Sequence, residues 1–414
     1  MGKTSNFAQN IGESKSGHIL RSRKIIIISP NGLSDAGGVE RVMLYAFRAL
    51  SEHGFQVGII EQKALAKSKI GQFFSIFKRG VLGFLGQSFG LSIIANRERR
   101  SGAFIINNGY AAFFARSDIL FCHGCVRAAR LTQHRVCLEQ HRLDLSKLQE
   151  HFDNTEIPRP IRLIESLKLS IYGPDEIAEM IAGNRARIIV AVSEHSQRDW
   201  QRYYHLSSGK FEHLPNTVDT KHLQPTSELN EQESSKQSKR VLRILFVGSL
   251  TYLKGLDRLR TTVEMARETG KNWEFIIATP SSLNTEHFSS KPNVTIHKVV
   301  SFAELPNLYR SCDLLYFPLI YEGFEMVTLE ALSSGLPVVG TDVGAISVFC
   351  EAEFPGVYRI EPDNFAQVSD TFKIAAAQWK NPAEKHRLHN LIDENYGISI
   401  WSQKLIEIVE ACYE

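Results

Sequence analysis

The stretch Asp313–Val339, "DLLYFPLIYEGFEMVTLEALSSGLPVV", decides how this chain folds. Its first five residues turn apolar without alternating, as a strand does when both sheet faces are covered. Pro318 to Glu325 form a loop, and a helix starts near Met326. Gly335 stops that helix, with Pro337 beyond it, and "LPVV" opens the next strand. A strand, helix and strand joined in this way form a parallel crossover. At the helix start the amides of Glu325, Met326 and Val327 point outward as unpaired donors, ready to receive a diphosphate. Glu322 lies in the loop and Glu330 one turn inside the helix.

The same alternation extends in both directions. Before the stretch come "VLRILFVGS", "WEFIIAT" and "NVTIHKVV", and after it "VYRI"; the first half offers "KIIIIS", "FQVGII", "AFIINN", "DILFCHG", "RIIVAVS" and "FEHLPN". Strands separated by helix-length amphipathic segments predict two doubly wound α/β domains. The polar run "QPTSELNEQESSKQSKR" has no apolar face and reads as the connection. The expected division is a mobile tail at 1–23, a Rossmann-like domain at 24–222, a linker at 223–240, a second Rossmann-like domain at 241–395 and a final helix at 396–414. Ligands of such sheets sit beyond the carboxyl ends of the strands, so function belongs in those loops.

Two further loops fit that rule. In "IIIISPNGLSDAGGVERVMLYAFRALSEHG", Gly37 and Gly38 fall just ahead of a helix whose apolar side carries Val39, Val42, Met43 and Ala46. Bare amides at the positive end of a helix dipole can hold a phosphate, although a glycine pair in such a loop is more often a plain turn. In "LFVGSLTYLKGLDRL", Gly248 ends a strand, and Lys254 and Gly255 begin the next helix. A lysine there can neutralise a diphosphate as a point charge.

The totals set bounds. With 414 residues, 48 basic and 45 acidic side chains, and a formal net charge of +3, nothing favours nucleic acid as a partner. No apolar run approaches the roughly 20 residues needed to span a bilayer. The opening residues lack the apolar core of a secretory signal, and Asn6 stands where an N-myristoylation signal wants Ser or Thr. Six irregularly spaced cysteines read as reduced thiols. Cys122, Cys125, His134, Cys137 and His141 could in principle surround zinc, but apolar neighbours and the lack of a second Cys-x-x-Cys favour core thiols, and no metal is expected.

Taken together, "GGVER", "AVSEHS", "LPNTVDTKHLQP", "FVGSLTYLKGLD" and "EGFEMVTLEALSSGLPVV" occur in an order that resembles the retaining nucleotide-sugar glycosyltransferases of family 4, which have the GT-B fold. The resemblance spans nearly the whole chain. It implies two Rossmann-like domains facing a central cleft, with "ISIWSQKLIEIVEACYE" as a terminal helix that crosses back to brace the first domain. It also implies a UDP- or GDP-sugar donor, no cofactor, and transfer of a hexose to a saccharide or lipid-linked acceptor, as in bacterial envelope polysaccharide or lipopolysaccharide synthesis. By the same carry-over Glu322 reaches the donor sugar, Glu330 grips the ribose, Lys254 meets the diphosphate, and His123 stands near the reaction centre. Gly37, Gly38, Gly248, Ser249, Gly323, Phe324, Glu325, Met326 and Val327 complete the donor site, Gly323 by letting the backbone approach the sugar.

Two positions depart from the family pattern. Ser249 replaces an arginine that usually joins Lys254 on the diphosphate, and Arg41 is a candidate to supply the missing charge. Glu325 replaces a common glycine and could contact sugar or acceptor. Transfer with retention in this family is usually drawn as a same-face displacement, so neither carboxylate is assigned as nucleophile. The chain has no Asp-x-Asp pair, which argues against the metal-dependent GT-A class. The segment 67–90, "KSKIGQFFSIFKRGVLGFLGQSFG", mixes basic and apolar residues as an interfacial segment does, or as an ordinary amphipathic helix does. A cytoplasmic protein, peripheral at the inner membrane face, is the expectation. The rival readings are a dinucleotide-dependent oxidoreductase, which wants a Gly-x-Gly-x-x-Gly that "NGLSDAGGVE" does not supply, and a non-catalytic sugar-nucleotide-binding or scaffold protein, which Ser249 supports.

Overall fold

The computed structural model describes residues 24–35, 37–66, 80–135, 172–225, 241–298 and 300–413. The tail 1–23, the segment 67–79, Cys137, His141 and the linker residues 226–240 lie outside them. Two six-stranded sheets organise the rest. The first contains β1 (Lys24–Ile28), β2 (Gln56–Ile60), β3 (Phe104–Asn108), β4 (Ser117–Cys122), β5 (Ala186–Ala191) and β6 (Phe211–His213). The second contains β7 (Leu242–Val247), β8 (Trp273–Thr279), β9 (Val294–Lys298), β10 (Leu314–Phe317), β11 (Val338–Gly340) and β12 (Val357–Arg359).

The strand orders are β2-β1-β3-β4-β5-β6 and β12-β11-β10-β7-β8-β9, with the paired strands parallel throughout. Each order reverses direction once, between β1 and β3 in the first sheet and between β7 and β10 in the second. In a doubly wound sheet the crevice opens at that switch point. The second switch point is pinned by the pairing of Leu314 with Ile244 and Leu315 with Leu245. The loops leaving β7 and β10 are therefore neighbours in space, although about seventy residues separate them in sequence. The strands are as apolar as the sequence suggests: four of five residues in β1 are buried, and all of β4 and β10.

The lobes are tied together by the chain crossing twice. Residues 214–225 lead from β6 into the second lobe, and Leu223 is buried in that lobe's core. The return passes at Tyr396–Gly397, where Val218 N donates to Tyr396 O at 3.2 Å and Thr217 Oγ1 to the same carbonyl at 2.7 Å. The helix Ile398–Ala411 then lies back on the first lobe. Its Trp401, Leu405 and Val409 repeat every four residues, so they share one helix face. That face is buried with Ile25, Val42, Met43 and Phe104, and Tyr413 packs on Phe104 with ring centroids 4.7 Å apart. Among the described residues, no helix is long and apolar enough to cross a membrane.

Candidate active site

Five loops at the carboxyl ends of strands surround a cleft of about 620 Å³ between the lobes. The first lobe contributes Ser29–Asn31 after β1, Asn108–Ala111 after β3 and Phe121–Val126 around the end of β4. The second contributes Thr251, Leu253 and Lys254 after β7 and Tyr321–Gly323 after β10. Of the residues expected from sequence, His123, Lys254, Glu322 and Gly323 line this cleft together. Gly37, Gly38, Gly248, Ser249, Phe324, Glu325, Met326, Val327 and Glu330 do not line it.

Lys254 reaches the cleft because its loop is held against the loop after β10. Gly255, at φ +81°, starts the helix Leu256–Glu268 in a left-handed conformation, and a Cβ there would stand 2.0 Å from the Pro318 carbonyl oxygen. Ile320 N donates to Leu253 O at 2.9 Å. Lys254 Nζ closes a short ion pair with Glu322 Oε2. The two residues assigned to diphosphate and sugar thus hold each other. Among the described residues lining the cleft, Lys254 is the one Lys or Arg. Ser249 adds no charge; its carbonyl accepts from Thr251 N at 2.8 Å and shapes the turn.

His123 follows β4. Its Nε2 lies 2.8 Å from Asn108 Oδ1, which accepts, so the ring proton sits on Nε2 and Nδ1 is left as an acceptor. Nδ1 is buried and has no protein partner. Burial pushes the imidazole down to about 4, against the pull of Glu40, so the ring is neutral near pH 7. It can accept a hydroxyl proton in a hydrogen bond and does not act as a charged acid.

The segment Tyr321–Glu330 is a clasp between the lobes. Tyr321 OH receives Cys125 N at 3.0 Å and donates to Asp199 at 2.9 Å. Ser193 Oγ donates to Gly323 O at 3.0 Å, and Asn216 Nδ2 to Phe324 O at 2.6 Å. Met326 is buried in the first lobe's core, and its sulfur lies 3.6 Å from where a Cβ on Gly38 would be. The amino ends of the helices Gly38–Glu52 and Met326–Ser333 therefore abut. "AVSEHS" and "LPNT" showed no chemical role in sequence. Ser193 and Asn216, one from each, hold the clasp's carbonyls.

Several expectations need correction. Gly323 is required less for approach to a sugar than for approach of the lobes: a Cβ there would stand 2.0 Å from the His123 carbonyl oxygen. Glu325 does not face sugar or acceptor. Its carboxylate turns into the second lobe, accepting from Thr328 Oγ1 at 2.6 Å and from Ala345 N, at the start of the helix Gly344–Glu351, at 2.8 Å. Burial pushes it up to about 7. Phe324 and Met326 are core side chains, so what they can offer a ligand is backbone. Val39 is exposed at the cleft, and Arg41 takes the buried place on its helix. The side chain of Glu40 folds back over Gly37, held by Asn31 Nδ2 at 2.8 Å, so a carboxylate already stands by the amides expected to take a phosphate.

Glu330 is the largest departure. Both its oxygens are engaged: Arg41 Nη1 donates to Oε1 at 2.8 Å, and Tyr309 OH to Oε2 at 2.7 Å. The ion pair crosses the lobe seam with 8% and 2% of the two side chains exposed. Burial opposes the charge on Arg41, but Glu330, Tyr45, Tyr309 and Asp35 together outweigh it and hold the guanidinium above its ordinary value. The guanidinium also lies 4.5 Å over the Phe302 ring.

Cys122 and Cys125 are buried in the first lobe's core, and Cys122 Sγ donates to Gly124 O at 3.3 Å. Among the described residues no cluster of three or more His, Cys, Asp or Glu is arranged to hold a metal. A residue that sequence reading missed is Glu179, on the helix Pro174–Arg185. It lines the cleft, accepts from Val126 N at 2.8 Å and Tyr204 OH at 2.6 Å, and is pushed up to about 8 by burial. Nothing local in "DEIAEMIAG" marked it.

Comparison with known proteins bears on the family and the fold. The chain is 36% identical over 132 residues to a glycosyltransferase of Methanocaldococcus jannaschii, covering 30% of this chain and 33% of that one. It is 29% identical over 149 residues to the lipopolysaccharide core biosynthesis mannosyltransferase LpsB of Rhizobium meliloti, covering 32% and 42%. These matches thus span well under half of either relative's length. HepE of Anabaena, solved with UDP and glucose, superposes with a TM-score of 0.60 at 15% identity, over 94% of this chain and all of that one. Residues 36–222 match the model described as Glycosyltransferase Family 4, and residues 242–373 the model described as Glycosyl transferases group 1. With a family match in each lobe and two parallel sheets meeting at their switch-point loops, this chain belongs to the family 4 glycosyltransferases of GT-B fold.

Proposed function

We propose that this protein is a retaining glycosyltransferase that moves a hexose from a UDP- or GDP-sugar to a saccharide or lipid-linked acceptor in envelope polysaccharide or lipopolysaccharide assembly. The observation that carries the reading is the convergence of Lys254, Glu322, Gly323 and His123 on one interlobe cleft, beside the abutting amino ends of two helices. The leaving nucleoside diphosphate needs preorganised positive charge, and Lys254 with the amides of Glu325, Met326 and Val327 supplies it. Glu322 accepts from the sugar hydroxyls when the donor's diphosphate draws Lys254 away from it. His123 Nδ1 accepts a further substrate hydroxyl, and Glu330 the ribose hydroxyls. Gly248 and Ser249 form the floor of the diphosphate site. The tight seam from Tyr321 to Glu330 keeps water from the activated donor.

The donor class is supported by the UDP and glucose held by HepE, and the envelope pathway by the role of LpsB. A peripheral position at the cytoplasmic membrane face is supported by the helix Gly80–Arg100, which exposes Leu85 and Phe89 one turn apart and ends in Arg97, Arg99 and Arg100. A panel of UDP- and GDP-hexoses, with and without a lipid-linked saccharide, tests the reading by nucleotide release. One donor should give acceptor-stimulated release, with the anomeric configuration kept in the product. A second reading, a non-catalytic binder, is favoured by Ser249 and by the engagement of both Glu330 oxygens. Binding without release across the panel would establish it in place of the first.

A further inference from the structure

The ion pair between Arg41 and Glu330 occupies the carboxylate that the proposed function gives to the ribose. A residue that merely neutralised a buried charge would be expected to use its donors fully. Arg41 does not: its Nε is buried without a hydrogen-bond partner, and one face of the guanidinium rests on Phe302. Meanwhile the cleft lacks positive charge. Lys254 is the one Lys or Arg among its described lining residues and is itself held by Glu322, while Glu40 stands at the start of the Gly38 helix. Ser249 brings none. A pyrophosphate carries more charge than one lysine offsets.

Position supplies the link. Gly38 lies three residues before Arg41 on the same helix and faces Met326, whose sulfur lies 3.6 Å from where a Cβ on Gly38 would be; Glu330 lies four residues after Met326. Arg41 and Glu330 are each one turn deeper into the seam than the point where the two helix amino ends meet. One turn is about 5.4 Å, within the arc of a guanidinium on three methylenes. We propose that Arg41 is a second pyrophosphate-binding cation, parked on Glu330 in the donor-free protein. The nucleotide's ribose hydroxyls replace it on Glu330, beside Tyr309. The released guanidinium then turns to the pyrophosphate at the two helix ends, where its planar fork suits paired oxygens. This rests on the donor site proposed above.

The test separates the two ideas. Calorimetry of the wild-type protein with uridine, UMP and UDP, and with the guanosine series, first asks whether a nucleoside diphosphate binds at all. If none does, the proposed function fails before Arg41 is in question. If one does, Arg41→Gln should leave nucleoside binding unchanged or tighter, because Glu330 is vacated. It should weaken the diphosphate roughly 10- to 100-fold. Arg41→Lys, which keeps the charge, should recover part of that loss. As a check independent of Arg41 variants, Glu330→Gln releases the guanidinium without a nucleotide and should bind inorganic pyrophosphate several-fold more tightly than wild type. Equal losses for nucleoside and diphosphate in Arg41→Gln, or unchanged pyrophosphate binding in Glu330→Gln, would make the pair a fixed interlobe clamp and overturn the proposal.

Discussion

The helix Gly38–Glu52 in the first lobe and the helix Met326–Ser333 in the second both leave a strand at a switch point through a glycine-containing loop. Each starts from an extended residue that makes no side-chain capping bond. Their surroundings differ. Gly38 and Val39 are exposed, with Glu40 alongside, while Gly323, Phe324, Glu325 and Met326 are buried and held from the opposite lobe. The same local code has produced an open wall in one lobe and a clasp in the other. What separates them is which side meets backbone from elsewhere, a property of the assembled sheets.

Substitutions can break that contrast, and the largest effect should come from the element that holds the first lobe in place. Trp401→Ala removes the largest side chain of the terminal helix from the core it shares with Ile25 and Phe104. Such a truncation costs about 3–5 kcal/mol. Urea denaturation should show it, and if the helix is a passive appendage the midpoint will hardly move.

The same small change made in each loop sharpens the comparison. Gly323→Ala drives a methyl to within 2.0 Å of the His123 carbonyl oxygen, so backbone must shift and the clasp must open. Nucleotide release should fall about 100-fold, equivalent to some 2.7 kcal/mol, with the lobes further apart in solution scattering. Activity within a factor of three of wild type would mean that the seam is not needed for turnover.

The two sides also titrate in opposite senses. Glu325, raised to about 7, contributes stability that is complete below its unfolded value near 4.5 and lost as pH rises through 7. His123, lowered to about 4, contributes stability that is present above 6.5 and lost as pH falls through 4. Glu325→Gln should therefore flatten the melting temperature between about pH 4.5 and 7, and His123→Gln should flatten it between pH 4 and 6.5. Each span amounts to on the order of 3 kcal/mol. Profiles parallel to wild type would show that neither group titrates as its burial implies.

Gly38→Ala should do least. Its φ is not positive, and the added methyl would meet only the Met326 side chain, its sulfur at 3.6 Å and its Cγ at 4.0 Å, ordinary contacts with a flexible side chain. Stability should change by less than about 1 kcal/mol, and a gain is as reasonable as a loss because alanine restricts the unfolded chain. A large drop would mean that the two helix ends meet more tightly than this contact suggests.

Legibility followed the range of each interaction. The fold was readable because unalternating strands such as β1 and β10, and stop signals such as Gly335 and Pro337, act within a few residues. That His123, Lys254 and Glu322 would meet at one cleft was readable because each follows a strand end, where a doubly wound sheet opens its crevice. Glu325 was misread because its partner, Ala345 N, lies twenty residues further on in a helix whose approach no local pattern announces. Glu179, Ser193 and Asn216 were assigned no chemistry for the same reason.

By itself, then, the order of residues determined two parallel sheets and the loops in which chemistry is sought, because hydrophobic period and turn chemistry are local, while the family was carried by the resemblance of its motifs. Only the folded lobes decided that Gly323 serves contact between lobes, that Glu325 faces inward, and that Arg41 rests on Glu330. Those facts depend on backbone and charge brought together from opposite ends of the chain, 289 residues apart for the ion pair, and on burial, which sets how strongly charges act on one another.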